Sequence, residues 1–125
     1  ARKGETDMIH KVWYRDYPDA ENFLYPLLHS ANTGVGENVS FYSSSTFDEL
    51  VWRARAEPDE ARRNVIYRQA DSLAFDDAPM LFLFFYNELY AVQPWISGFT
   101  PPAIFNGQRW LTATIGKRET GNGKR

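Results

Sequence analysis

The run Val12-Trp13-Tyr14-Arg15-Asp16-Tyr17-Pro18-Asp19 is the place in this sequence where residue types converge on a chemistry. It sets large aromatic side chains and a carboxylate at the end of a strand-like segment, where open α/β sheets bind ligands. A lone carboxylate beside aromatic walls suits an amine, because the charge pairs with an ammonium group while the rings exclude water. Spacing alone leaves a second reading open. Asp16 can cap a turn and Trp13 can join a core, since Asp-x-Pro turns are common.

Other candidates fall short of a reaction. His10 and His29 are the only histidines, and neither has a second ligand three or four residues away. A metal site needs three or four converging ligands. They read instead as a strand histidine and a histidine at a helix end, facing the C-terminal dipole. Ser43-Ser44-Ser45 lacks the Gly-x-Ser-x-Gly elbow of a hydrolase and reads as a polar loop. Asp76-Asp77 is expected to face solvent at a helix C-terminus. Neither Gly34-x-Gly36 nor Gly121-x-Gly123 lies between a strand and a helix, so neither is a phosphate loop. No constellation for catalysis is assembled, and no cofactor is expected.

Composition narrows the class further. The chain has 125 residues, with 14 Lys+Arg against 16 Asp+Glu and a net charge of -2. A nucleic-acid binder would carry a dominant basic footprint, so that class is set aside. The absence of cysteine removes disulfide scaffolds, thiol catalysis and Cys-based zinc sites together. Aromatic residues reach 16%, a load that fills an aromatic core or lines a recognition surface. No apolar run approaches the ~20 residues of a membrane span. Ala1-Arg2-Lys3-Gly4-Glu5 does not read as a cleavable leader, and the abrupt start is expected of a piece excised from something longer.

The elements that must position the candidate residues follow from periodicity. Asp7–Trp13 reads as a strand, and Asp16–Asp19 as a turn. Asp19 is expected to cap a short helix with Phe23, Leu24, Leu27 and Leu28 on one face, Pro26 being tolerated near its first turn. Residues 30–45 form a long polar loop anchored by Val39, Phe41 and Tyr42. Thr46-Phe47-Asp48-Glu49 has the form of a capping box that opens a helix with Phe47, Leu50, Val51 and Ala54 inward. Pro58 ends that helix and starts the next, which runs to about Asp77 with Ile66, Ala70, Leu73 and Ala74 at helical spacing. Met80–Tyr86 is apolar throughout and reads as a strand buried on both faces, in one sheet with Asp7–Trp13. The order predicts an α/β or α+β fold, a small sheet covered by helices.

Seven stretches in register carry a resemblance. They are Asp7-Met8, Trp13-x-x-Asp16-Tyr17-Pro18-Asp19-x-Glu21-Asn22-Phe23-Leu24, Asn38-x-Ser40-x-Tyr42-Ser43 and Phe47-Asp48. Then come Arg62-Arg63 through Tyr67 and Ala70, Asp77-Ala78-Pro79, and Ala91-Val92-x-Pro94-Trp95-x-x-Gly98-Phe99. The match they mark covers nearly everything from about Thr6 to Trp110. The chain resembles the C-terminal part of the extracellular solute-binding proteins of ABC importers, the peptide/nickel type.

That resemblance implies a fragment of a two-lobed, type II periplasmic-binding-protein fold and a receptor, not an enzyme. Residues 1–94 would belong to the C-terminal lobe, 95–115 would return to the other lobe, and 116–125 would form a disordered basic tail. In peptide binders of the family, the aspartate matching Asp16 receives the ligand's α-ammonium group. The implied ligand-binding set is Asp16, Trp13, Tyr14, Arg15 and Tyr17. The implied partners are a short peptide and a membrane permease, on the periplasmic or extracellular face of the membrane. The sequence departs from the family at Val12, Tyr14 and Arg15, where small residues are common, and at Ser44-Ser45, where Asn-Pro is. Three alternatives accompany this reading. One is an oligosaccharide receptor, with Trp13, Tyr14, Trp95 and Trp110 stacking on sugar faces. Another is a small hydrolase with Asp16 or Asp19 as general base, and the last an interaction module using exposed aromatics.

Overall fold

The computed structural model describes residues 3–34, 36–85, 87, 89–101 and 112–116. The chain falls into two compact units, Ala1–Leu83 and Phe84–Arg125.

The first unit is built on three helices: α1 (Glu21–Leu28), α2 (Ser45–Ala56) and α3 (Glu60–Asp77), with a 3-10 turn at Ser30–Asn32. Ser44, not Thr46, caps α2, its hydroxyl accepting the Phe47 N–H at 3.4 Å. Asp48, in the first turn of α2, accepts from the Ser30 N–H at 3.1 Å and from the Ser30 hydroxyl. Asp59 caps α3 through the Arg62 N–H at 2.8 Å, so Pro58 lies just outside the helix. α3 ends at Ala78 in the left-handed conformation, φ 48.

The core is where α1, α2 and α3 meet. Phe47, Val51 and Ala54 of α2 are buried, as are Tyr67, Ala70 and Ala74 of α3 and Leu24 and Leu28 of α1. Alanines at 54, 70 and 74 let the α2 and α3 backbones approach closely, while Phe47 supplies the volume. Burying one such large apolar side chain stabilises by ~1.5–3 kcal/mol. Leu27, Leu50, Ile66 and Leu73 pack at its margin. Phe23, expected inward, is 39% exposed, and Asn22 takes the inner position at 4%.

The loop between α1 and α2 is anchored by a residue that the apolar pattern did not pick out. Asn38 is fully buried and donates its amide to the carbonyls of Leu28, His29 and Tyr42. Tyr42 packs on the core and donates to Asp77 at 2.6 Å, whereas Phe41 is exposed and has a positive φ of 58.

The expected sheet is not formed. Among the described residues, Asp7–Trp13 and 80–85 form no regular element and join no sheet, and Tyr86 itself lies outside the described residues. Leu81, Phe82 and Leu83 are 58–82% exposed, so the apolar strand is not buried on both faces. A strand exists only where a second backbone offers its donors and acceptors. In the first unit the helices pack on one another, and the Asp7–Trp13 stretch is held by side-chain bonds, Lys11 to Glu37 and Trp13 to Asn22, and not by a strand ladder. In the second unit, β1 (Ile96–Ser97) pairs antiparallel with β2 (Thr114–Ile115), with Ile96 opposite Ile115. The rings of Tyr90 and Phe99 meet at a tilt of 53°, with centroids 5.6 Å apart. The fold is therefore mixed α and β, with helices that do not cover a strand pair of their own unit. Trp110 and nearly all of the basic tail fall outside the described residues.

Candidate functional site

The site is assembled from the end of the extended segment, the Asp16–Asp19 turn and the first turn of α1. Asp19 accepts the Glu21 N–H at 2.9 Å, so its carboxylate serves the helix start although Ala20 holds the cap position. An acid there also meets the positive end of the helix dipole.

Asn22 organises what precedes it. Its Oδ1 accepts the Asp16 N–H at 2.8 Å, and its Nδ2 donates to Asp16 Oδ2 at 3.3 Å. The Trp13 indole Nε1–H donates to the Asn22 backbone carbonyl at 2.8 Å. Trp13 and Asp16, the two residues on which the sequence reading rests, are thus held by one residue of α1. Trp13 is half-buried with Lys11 Nζ 5.3 Å from its ring centroid, and Lys11 is ion-paired to Glu37. Asp16 is exposed, and its Oδ1 accepts no hydrogen bond from a described residue. Tyr14 and Tyr17 are 39% and 43% exposed, and Arg15 is exposed. Tyr17 donates its hydroxyl to Glu21. It lines an open hollow of about 370 Å³ together with Asp19, Glu21, Arg55, Arg63 and Tyr67.

That hollow is a balanced charge network. Arg55 pairs with Glu21 at 3.3 Å and Arg63 with Asp19 at 3.4 Å. The pairs tie the start of α1 to α2 and α3. Solvent-accessible pairs contribute only ~0–1 kcal/mol each, so they set position more than stability. Burial pushes the Tyr67 hydroxyl up to about 12, with Asp19 and Glu21 adding to the effect. Tyr67 is therefore a neutral hydroxyl throughout the physiological range.

His29 is a structural residue here. It is 3% exposed, its Nδ1 accepts the Ala31 N–H at 3.1 Å, and its ring packs against Tyr25 and Trp52. Acceptance at Nδ1 places the proton on Nε2, and burial lowers the ring's pKa. It therefore meets the helix end as a neutral cap of the 3-10 turn, not as a cation on the dipole. His10 is exposed on the unpaired segment. Among the described residues no three His, Cys, Asp or Glu side chains converge to hold a metal ion, and no helix is long and apolar enough to cross a membrane.

Sequence reasoning missed Asn22 as a functional residue. A signal was present: Pro26 lies four residues on, in the second turn of α1 and not the first, and a proline there leaves one helical carbonyl without its usual donor.

No family model matches the chain. Curated proteins do. The probable D,D-dipeptide-binding periplasmic protein DdpA of Escherichia coli is 33% identical over 104 residues, which are 83% of this chain and 19% of that protein. The periplasmic oligopeptide-binding protein OppA of Escherichia coli is 26% identical over 98 residues, 78% of this chain and 17% of its own length. Di/tripeptide-binding protein 2 of Pseudomonas aeruginosa is 34% identical over 80 residues, 64% of this chain and 15% of its own. The chain spans less than one fifth of the length of these relatives. Matches of this extent to several such proteins place the chain in the family of extracellular solute-binding proteins of the peptide/nickel type.

Proposed function

We propose that this chain is part of the C-terminal lobe of a solute receptor that captures short peptides for an ABC importer, with Asp16 receiving the ligand's ammonium group. The observation that carries the reading is the Asp16 carboxylate. One oxygen is held by Asn22, the other accepts no hydrogen bond from a described residue, and Trp13 is tied to the backbone carbonyl of the same Asn22. The names of the relatives, which are peptide-binding proteins, support the ligand class. In this reading residues 1–94 form the lobe wall and 95–115 return to a second lobe. Asp7–Trp13 and 80–83 find their strand partners elsewhere in the same two-lobed receptor. Trp13, Tyr14, Arg15 and Tyr17 edge the cleft. The receptor works at the periplasmic or extracellular face, carries out no chemistry and needs no cofactor. It hands its ligand to a membrane permease. Ligand binding favours the closed arrangement of lobes by its differential affinity for that arrangement.

Calorimetric competition on the full-length receptor tests the ligand class. Di- and tripeptides are expected to bind saturably and to displace one another. Oligosaccharides that displace peptide, or bind where peptides do not, would replace this reading with sugar stacking on the aromatic residues.

A further inference from the structure

Asn22 is 96% buried, yet its amide makes no bond within its own helix. Both ends are used on Asp16, six residues earlier, and the amide fits only one way round. The Asp16 N–H can only donate and the carboxylate can only accept, so Oδ1 must face the former and Nδ2 the latter. The backbone carbonyl of Asn22 is also diverted. In an α-helix it would accept the N–H of residue 26, and residue 26 is proline, which has none. The freed acceptor takes the Trp13 indole N–H at 2.8 Å.

We infer that Asn22 and Pro26 are positioning residues for the ligand wall: Asn22 fixes the Asp16 carboxylate, and Pro26 keeps vacant the carbonyl to which Trp13 is tied. This rests on the reading of Asp16 as an amine anchor. Proline in a helix interior weakens the helix, so its presence at 26 runs against local stability and is offset by what it holds. With Asn22 in place, one carboxylate oxygen is committed to the protein and the other is presented outward. A ligand amine then meets a fixed acceptor and not a rotating one, which lowers the ordering cost of binding.

The inference sets stability and binding against each other. Pro26→Ala restores an N–H that competes for the Asn22 carbonyl. The full-length variant should melt at or above the wild-type temperature, while the Trp13 indole N–H resonance shifts and exchanges faster. Its preference for a free-amine dipeptide over the N-acetylated one should fall at least threefold. Asn22→Leu, which suits a buried position, should cut that preference about tenfold. A purely structural role for both residues predicts the opposite pattern: Pro26→Ala gains stability with the preference and the indole signal intact. That result would overturn the inference while leaving the amine anchor standing. Wild-type receptor that binds both dipeptides equally would instead overturn the anchor, and with it the role given to Asn22. Should Asn22→Leu not fold, Pro26→Ala decides.

Discussion

An exposed carboxylate binds an amine weakly while water competes for both, so the amine-binding role proposed for Asp16 rests on how the group is held and on what would enclose it. Holding is supplied by Asn22, whose backbone carbonyl also ties down Trp13. A second residue-scale consequence concerns His29, whose burial beside Tyr25, Trp52, Asp48 and Arg55 keeps the ring neutral. Burial and Arg55 lower its pKa from 6.5, against the opposing pull of Asp48. Above the ordinary value both folded and unfolded states carry a neutral ring and His29 makes no difference. As pH falls below about 6.5 the unfolded chain takes up the proton first, so stability is lost until the folded pKa is passed. Thermal unfolding between pH 8 and 5 should show this decline in the wild type and a shallower one in His29→Asn. Identical slopes would contradict it. Trp13 and Asp16 were legible in the sequence because they are neighbours in it. Asn22 was not, because its role appears only when a helical turn folds it back under them.

Helix boundaries were legible to within a residue or two, since α2 and α3 carry strong stops at Pro58 and Ala78-Pro79. What shifted was the identity of the caps. Three consecutive serines offer competing hydroxyls, and Ser44 is the one placed to accept the Phe47 N–H. The extended segments were misread as paired because propensity reports a fit to a sheet and cannot supply the neighbouring strand. One element-scale prediction follows from the end of α3. Ala78 holds φ 48, a left-handed conformation that a β-carbon makes unfavourable by roughly 1–2 kcal/mol. Glycine removes that cost and adds some chain entropy to the unfolded state. Ala78→Gly should therefore stabilise the protein by about 0.5–1 kcal/mol, read as a higher urea midpoint. A lower midpoint would show that the methyl group makes a compensating contact.

At the scale of the whole molecule, the three-helix unit is a mount. Its core places α1, the ion pairs of Arg55 and Arg63 fix the start of α1, and α1 holds Trp13 and Asp16 through Asn22. Leu81, Phe82 and Leu83 of the first unit stand largely exposed, in keeping with a chain that spans under one fifth of its relatives' length. Closure of a second lobe over Asp16 would strip water from the carboxylate, and only a cationic partner offsets that loss. The central claim is thus electrostatic, and Asp16→Asn isolates it by keeping shape and removing charge. Truncating one member of an enclosed charge pair typically costs ~2–5 kcal/mol of binding, where ~1.4 kcal/mol is one decade. Calorimetry on the full-length receptor, with one short peptide in free and N-acetylated forms, measures it. Asp16→Asn and acetylation are each expected to weaken binding at least tenfold, with little further loss when combined. Equal affinity of the wild type for the two peptides would contradict it.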